Sequence, residues 1–369
     1  MNATPRLAGV LTVLTVGLAA CATTSSTPSQ PSVATTDAPR PATSAANPTT
    51  TAAASPATSV LPAPNGPHAV GAIATPMPGA IVFYPAQVNT GSGQHPYLDP
   101  ALAASLGVPA ETISGLTTTT RTGATPLATK TARPVVVLAP GFGSLIALST
   151  ALAEHLASNG YVVLAVQADV AAEAGTMPPP TPAQERARLD QIAAALDLVT
   201  SPAFASLVGE VDADRIAVGG HSYAGSIAFN TSLHDPRVTA VFDLDGRLFG
   251  EAATVPTRVP SLIVASSASG TSTDQQMRDL IRLGSKTVAV GLLHSDHFDL
   301  TDAAAISDLL HATGATFAVG TIGAVAVDDT STIVQRFLDR AFEDGIAATQ
   351  AELIDNLPGT TAHAFGTTG

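Results

Sequence analysis

The distribution of apolar residues along the chain divides it into three parts. An apolar stretch covers residues 7–20, and a segment made almost entirely of Thr, Ser, Ala and Pro follows over residues 22–66. That segment has too few large apolar side chains to form a core, so we expect a disordered tether. Residues 67–345 carry alternating strand and helix patterns and are expected to form one folded domain, with a loose tail over residues 346–369.

Within the domain, short continuous runs of apolar, often β-branched residues are typical of strands buried on both faces of a parallel sheet. A first or edge strand is predicted at 80–85, and further strands at 134–139, 161–166, 215–219, 238–244, 261–265 and 286–290. Helical patterns occur at 148–158, 184–199 and 333–342, and directly after residue 222. This alternation predicts an α/β protein with a doubly wound, mostly parallel sheet flanked by helices, whose functional groups lie at the carboxyl ends of the strands.

The segment at residues 219–225, of sequence GGHSYAG, lies between a predicted strand and a predicted helix. A nucleophile elbow needs this placement, because the turn lifts a serine hydroxyl above the edge of the sheet. The turn is so tight that the residues two before and two after the serine must be small, and here they are Gly220 and Ala224. Ser222 is therefore the predicted nucleophile.

A serine hydroxyl is a weak nucleophile at neutral pH and needs a base within hydrogen-bonding reach. The base is expected late in the chain, after the strand that ends near residue 290. Two histidines lie there, His294 and His297, and their spacing does not decide between them. We take His294 as the predicted base, with His297 as the competitor.

An acid must orient the histidine. Asp245 directly follows the strand predicted at 238–244, so its side chain would project from the functional edge of the sheet. Asp243 points to the same face but lies deeper in the strand, and Asp274 follows the next strand after a long interval of nine residues. Asp245 is the predicted acid, and Asp274 is the second choice.

Cleavage of an ester through a tetrahedral intermediate also needs donors aimed at the developing oxyanion. One is ordinarily the backbone amide of the residue after the nucleophile, here Tyr223. The other should come from the loop after an early strand, where Gly141 and Gly143 flank Phe142. The backbone amides of Phe142 and Tyr223 are therefore the predicted oxyanion hole. Residues 91–130 precede that early strand, contain one helical pattern at 100–106, and are a candidate lid over an acyl pocket.

This order of motifs resembles the branch of the α/β-hydrolases that includes platelet-activating-factor acetylhydrolase-like, chlorophyllase-like and dienelactone-hydrolase-like esterases. The resemblance runs from about residue 83 to 342 and is carried by FYP at 83–85, VVVLAPGFG at 135–143, LASNGY at 156–161, GHSYAG at 220–225, DLDG at 243–246 and His294. It implies a Ser222–Asp245–His294 triad and hydrolysis of carboxylic esters, including short acyl chains on a lipid. The chain departs from that pattern at Pro140, where the family has histidine, and at Ala224, where it has glycine.

Two other functions remain open from sequence. The same triad would serve an acyltransferase or an amidase, and a catalytically inactive hydrolase fold would serve as an envelope binding protein. The chain has no H-x-x-x-H or C-x-x-C spacing and no phosphate-binding loop, so no metal or other cofactor is expected. The formal net charge of −13, with 16 Lys and Arg and no basic run, argues against a nucleic-acid partner.

The N-terminal apolar stretch follows Arg6 and is too short to span a bilayer, which is typical of a signal peptide. It ends in LAAC at 18–21, which resembles a bacterial lipobox with Cys21 as the lipidated residue. The sequence therefore predicts a signal peptide over residues 1–21 and an extracytoplasmic lipoprotein held to the bacterial cell membrane through Cys21. Its predicted substrate is a small-molecule or lipid ester.

Overall fold

The computed structural model of the chain describes residues 61–105, 108–109, 115–173, 180–268, 286–312, 317–346, 348–357 and 362–363. The predicted signal peptide, Cys21, nearly all of the tether and the alternative acid Asp274 lie outside the described residues. The strands are β1 Ala69–Ala74, β2 Ala80–Ala86, β3 Arg121–Thr122, β4 Arg133–Ala139, β5 Val162–Val166, β6 Val211–His221, β7 Ala240–Leu244, β8 Ser261–Ser266, β9 Thr287–Leu292 and β10 Ala362–His363.

These strands form one sheet in the order β10-β9-β8-β7-β6-β4-β5-β2-β1-β3. The central strands from β5 to β9 pair in parallel, whereas β2 joins β5, β1 joins β2, and β10 joins β9 in antiparallel fashion. A parallel neighbour requires a crossover connection, so the central strands alternate with helices along the chain. The predicted doubly wound, mostly parallel sheet is confirmed.

The helices carry the chain between the two faces of the sheet. They are α1 Pro100–Ser105, α2 Thr150–Ser158, α3 Val170–Glu173, α4 Pro182–Val199, α5 Pro202–Val208, α6 Tyr223–His234, α7 Ser307–Ala312, α8 Ala324–Asp344 and α9 Gln350–Ile354. Short 3-10 helices lie at Ile146–Ser149, Gly250–Ala253, His297–Leu300 and Asp302–Ala304. The start of α4 is fixed by a capping box in which Thr181 and Gln184 satisfy each other's backbone amides.

Each face of the sheet has its own core because successive side chains of a strand point to opposite faces. In β4, Val135 and Val137 pack with α4 and α6 on one face, whereas Val136 and Leu138 pack with α2 and α8 on the other. All four side chains are fully buried. The continuous apolar run that predicted a doubly covered strand thus reflects two separate cores.

The described structure differs from the predictions at both ends of the domain. The strand predicted at 80–85 is the second one, because β1 precedes it and pairs with it along its whole length. The segment after residue 345, predicted to be loose, contributes α9, whose Leu353 is fully buried, and β10, which extends the sheet. Parts of this segment are ordered because Leu353 is buried in the core and because β10 pairs with the edge strand β9.

Among the described residues, no single helix is long and apolar enough to cross a membrane. The consecutive helices α4 and α5 would meet that criterion only as a pair bent by 70°, and their apolar residues Ile192, Leu196 and Phe204 are buried in the core.

Candidate active site

Ser222 lies in the sharp turn between β6 and α6, with φ 56° and ψ −123°. A non-glycine residue with such a φ has a strained backbone, and residues with strained backbones are concentrated at functional sites. The turn closes because its neighbours are small. A Cβ at Gly220 would lie 2.0 Å from the carbonyl oxygen of Ala139 and 2.9 Å from the Cβ of Ala224. Position 220 therefore has no room for a side chain, whereas an alanine fits at position 224.

The turn places Ser222 next to a histidine and an aspartate. The Ser222 Oγ lies 3.1 Å from Nε2 of His297, and Nδ1 of His297 lies 2.7 Å from Oδ2 of Asp245. Since a carboxylate only accepts hydrogen bonds, Nδ1 carries the proton and Nε2 of the neutral ring is left to accept from the serine hydroxyl. The three side chains come from the ends of different strands, as expected for the carboxyl edge of a parallel sheet.

The structure places His297, and not the predicted base His294, between Ser222 and Asp245. His294 is exposed and adopts a left-handed conformation with φ 60°. Its carbonyl oxygen accepts a hydrogen bond from the backbone amide of Thr321, which fixes the loop. A 3-10 turn follows, capped by Asp296 and Asp299, and this turn brings His297 back under the serine.

Asp245 is held in place by hydrogen bonds other than the one to histidine. Its Oδ1 accepts from the amide of Ser266 at 2.6 Å, and its Oδ2 accepts from the Ser266 hydroxyl at 3.0 Å. The Asp245 side chain is fully buried. These contacts, from the end of β8, leave Oδ2 facing His297, so the residue predicted as the acid is positioned to orient the ring.

Asp243, two residues earlier, occupies a different position beneath the elbow. It is fully buried, and its Oδ1 accepts a hydrogen bond from the amide of Gly246 at 2.8 Å. Burial, reinforced by the negative charge of Asp245, raises the pKa of Asp243 well above its ordinary value. The buried carboxyl group of Asp243 packs against Gly225 at the start of α6.

His221 supports the histidine loop from the residue before the nucleophile. It is buried, and burial lowers its pKa well below the ordinary value, with the nearby His297 acting in the same direction. The neutral ring thus donates from Nε2 to the carbonyl oxygen of His297, at 2.8 Å. The two rings lie 4.5 Å apart, and Phe298 packs against both. Sequence reasoning assigned His221 no such contact.

The loop after β4 lies directly against the nucleophile. A Cβ at Gly141 would be 3.2 Å from the Cβ of Ser222, so only a glycine allows this approach without displacement. The ring of Phe142 meets that of Tyr223 edge to face, with centroids 5.6 Å apart. Tyr223 is the first residue of α6, where backbone amides have no intrahelical acceptor. The two predicted oxyanion residues are therefore neighbours beside Ser222.

The candidate lid segment packs beside this loop. Tyr97, Leu98 and Ala103 form a small apolar cluster with Leu148 and with Phe298 of the histidine loop. Tyr97, Leu98 and Leu102 also line a cavity of about 510 Å3 together with Ile146 and Gln167. Gln167 joins this cavity to the loop, since it accepts from the amide of Ile146 at 2.9 Å and donates to the carbonyl oxygen of Ser144 at 3.1 Å.

The residues that the structure describes include no group of three or more His, Cys, Asp or Glu side chains arranged to hold a metal ion.

Proteins similar to this chain in sequence or structure include cutinases and a ferulic acid esterase. Residues 101–278 match the family model described as PETase, PET hydrolase-like, and this stretch contains Ser222 and Asp245. The chain is 28% identical over 109 residues to cutinase est1 of Thermobifida alba, which covers 30% of this chain and 33% of that protein. It is 28% identical over 132 residues to cutinase 2 of Thermobifida cellulosilytica, covering 36% and 46% of the two chains. The matches thus span less than half the length of these curated relatives.

The structural similarity extends further than the sequence matches. The fold superposes on a ferulic acid esterase from Streptomyces cinnamoneus with a TM-score of 0.61 and 25% sequence identity, covering 77% of this chain and 93% of that one. The sheet order, the elbow between β6 and α6 and this similarity together define an α/β-hydrolase fold. The expectation of that fold is confirmed.

Proposed function

We propose that the protein is a serine hydrolase that cleaves carboxylic esters, with Ser222, His297 and Asp245 as its catalytic triad. The observation that carries the proposal is the continuous hydrogen-bonded chain from the Ser222 hydroxyl through His297 to the buried Asp245. The similarity to cutinases and to a ferulic acid esterase supports an ester as the substrate.

The geometry suits a two-step reaction through an acyl-enzyme. Ser222 Oγ attacks the ester carbonyl carbon while its proton passes to Nε2 of His297, and the resulting imidazolium is stabilised by Asp245. The tetrahedral intermediate then expels the alcohol, which takes the proton from His297. A water molecule, deprotonated by the same histidine, attacks the acyl-enzyme and releases the carboxylic acid. The amides of Phe142 and Tyr223 are the proposed donors to the oxyanion in both steps.

Within this class we propose short-acyl esters, including those of lipids, as the substrates. The narrower assignment follows the resemblance of the elbow, acid and oxyanion motifs to esterases of that kind. A series of p-nitrophenyl esters from acetate to palmitate tests it, and the highest kcat/KM is expected at the short end. A maximum at palmitate would contradict the short-chain assignment and leave the esterase proposal intact.

The esterase proposal is tested by labelling the full chain with a fluorescent fluorophosphonate, alongside turnover of p-nitrophenyl acetate. Wild type should be labelled and active, whereas Ser222→Ala should lose both. Ser144→Ala, a serine in the loop after β4, is the matched control and should keep both. A folded wild type that is neither labelled nor active would refute the proposal and favour a binding function. Accumulation of a new ester with an added alcohol, in place of free acid, would identify an acyltransferase.

We further propose that the protein is an extracytoplasmic lipoprotein attached through Cys21. The support is the short apolar stretch that ends in LAAC at residues 18–21 and the Thr/Ser/Ala/Pro-rich segment that follows. Expression of the full chain in a bacterium fed a palmitate analogue tests the attachment. Lipid incorporation should be lost in Cys21→Ser, and an equal signal from both proteins would contradict it.

A further inference from the structure

A buried ion pair lies behind the loop that carries Phe142. Arg188 of α4 and Glu173 of α3 are both about 5% exposed, and their side chains meet through hydrogen bonds of 2.5 Å and 3.0 Å. Burying two charges is costly unless the remaining donors and acceptors are also satisfied. Here the remaining partners are backbone groups of the loop after β4.

Both members of the pair bind that loop. Arg188 donates from Nη1 to the carbonyl oxygen of Pro140 at 3.2 Å and from Nη2 to that of Gly141 at 3.0 Å. Glu173 Oε2 accepts from the amide of Gly143 at 2.5 Å. One charged pair thereby binds the backbone of the two residues before Phe142 and of the one after it.

These contacts determine which way the Phe142 amide faces. The peptide unit is planar and trans, so the carbonyl of Gly141 and the N–H of Phe142 point in opposite directions. With the Gly141 carbonyl bound to Arg188, the Phe142 N–H points away from the ion pair. The loop lies between that pair and Ser222, since Gly141 approaches the Cβ of Ser222 closely. The Gly143 amide is already taken by Glu173, which leaves Phe142 as the donor of this loop.

Arg188 also lies next to the second oxyanion residue. Its guanidinium carbon is 6.0 Å from the centroid of the Tyr223 ring, within the range of a cation–π contact. One side chain therefore contacts the loop on one side of the nucleophile and the first residue of α6 on the other.

We propose that Arg188 and Glu173 are positioning residues of the oxyanion hole: the pair holds the peptide between Gly141 and Phe142 in the orientation that aims the Phe142 amide at the oxyanion. This inference rests on the proposed esterase function and deepens it. An oxyanion donor that is aimed in advance stabilises the transition state more than the bound substrate, so loss of the pair should lower kcat and leave KM nearly unchanged.

Arg188→Lys is the first test. Lysine retains the buried charge beside Glu173, but its single ammonium does not reproduce the planar fork that binds two carbonyl oxygens and a carboxylate together. In the full chain we expect kcat for p-nitrophenyl acetate to fall by about 10- to 100-fold, with KM within about two-fold of wild type. The affinity for phenylboronic acid, whose serine adduct is tetrahedral, should fall by the same factor as kcat/KM.

Glu173→Gln is the second variant and decides the matter if Arg188→Lys does not fold. The amide has the shape of the carboxylate, but its NH2 group cannot accept a hydrogen bond. At the Oε1 position this group would face the donor Nε of Arg188, and at the Oε2 position it would face the donors of Gly143 and Arg188 Nη2. A lower kcat at constant KM is again expected. The matched control is Arg237→Lys, which changes an arginine paired with Asp235 and Asp197 elsewhere in the molecule and should leave every parameter unchanged.

The outcomes separate the two proposals. A wild type that is labelled and active, with folded Arg188→Lys and Glu173→Gln variants that match it in kcat and boronate affinity, would overturn the positioning role alone. A rise in KM at unchanged kcat would also overturn it, because this would indicate substrate binding. A folded wild type without labelling or turnover would overturn the esterase proposal and the positioning role together.

Discussion

Replacing Asp302 by Asn is expected to remove a cost of folding that grows in the wild-type chain as the pH rises from about 4 to about 7. Asp302 is 1% exposed and follows the 3-10 turn of His297. Its two carboxyl oxygens lie 3.3 Å and 3.2 Å from the backbone amide of Ala151 in α2. The residue therefore ties the histidine loop to a helix of the neighbouring layer.

Burial raises the pKa of Asp302 from 3.8 to about 7, because the carboxylate is removed from water, and the nearby Glu154 adds to the rise. The backbone amides of Ala151 and Thr150 and the nearby side chain of Tyr97 oppose this rise in the pKa. Between these two pKa values the folded chain binds one proton more than the unfolded chain. The stabilisation linked to Asp302 is therefore fully present below about pH 4, falls as the pH rises, and is lost above about pH 7. The total loss in the free energy of unfolding is about 4 kcal/mol.

The assay is urea denaturation of wild type and Asp302→Asn at pH 4, 6 and 8. The asparagine variant carries no charge to bury, so its free energy of unfolding relative to wild type should increase by about 4 kcal/mol from pH 4 to pH 8. Asp214→Asn, an exposed carboxylate in β6, is the control and should show no such change. A difference between Asp302→Asn and wild type that stays constant over this pH range would refute the reasoning.

Two further substitutions test the elbow and the acid. In Asp245→Asn, the amide of Ser266 holds the remaining oxygen, so the side-chain NH2 faces Nδ1 of His297 and favours the wrong tautomer. We expect kcat for p-nitrophenyl acetate to fall by about 10³- to 10⁴-fold in a folded protein, and a loss below ten-fold would contradict this. In Gly225→Ala, the new Cβ would lie 1.9 Å from Oδ1 of Asp243 at the start of α6. The urea midpoint should drop by an amount equivalent to about 3 kcal/mol or more, and an unchanged midpoint would contradict the described packing.

The central architecture could be predicted because it depends on local patterns. Strand β4 needs apolar residues on both faces, and its sequence has them without interruption. The elbow at Ser222 needs small residues at fixed positions, and Asp245 needs only to follow a strand directly. The peripheral β1 and β10 were missed, because a short strand at a sheet edge gains its order from the partner strand more than from its own sequence.

The choice between His294 and His297 depended on the path of one loop. Both residues follow β9, and three positions separate them, which is one turn of a 3-10 helix. The aspartates at 296 and 299 have the spacing of a capping box, which indicates that a capped turn begins there. In the structure, the side chain of each aspartate accepts a hydrogen bond from the backbone amide of the other. A residue inside that turn is carried back toward the sheet, whereas His294 precedes it and stays exposed.

The Arg188–Glu173 pair had no signal in the sequence. The two residues are fifteen positions apart on separate helices. In the sequence, neither differs from an ordinary charged residue on a solvated surface. Their burial and their contacts with Pro140, Gly141 and Gly143 arise only when α3 and α4 pack over the loop after β4.

The most direct test of the account is a comparison of His297→Ala with His294→Ala in the full chain, with p-nitrophenyl acetate turnover as the readout and circular dichroism as the check on folding. The account predicts that His297→Ala loses at least about 10³-fold in kcat while His294→Ala stays within about three-fold of wild type. A folded His297→Ala that retains its activity, together with an inactive His294→Ala, would contradict it.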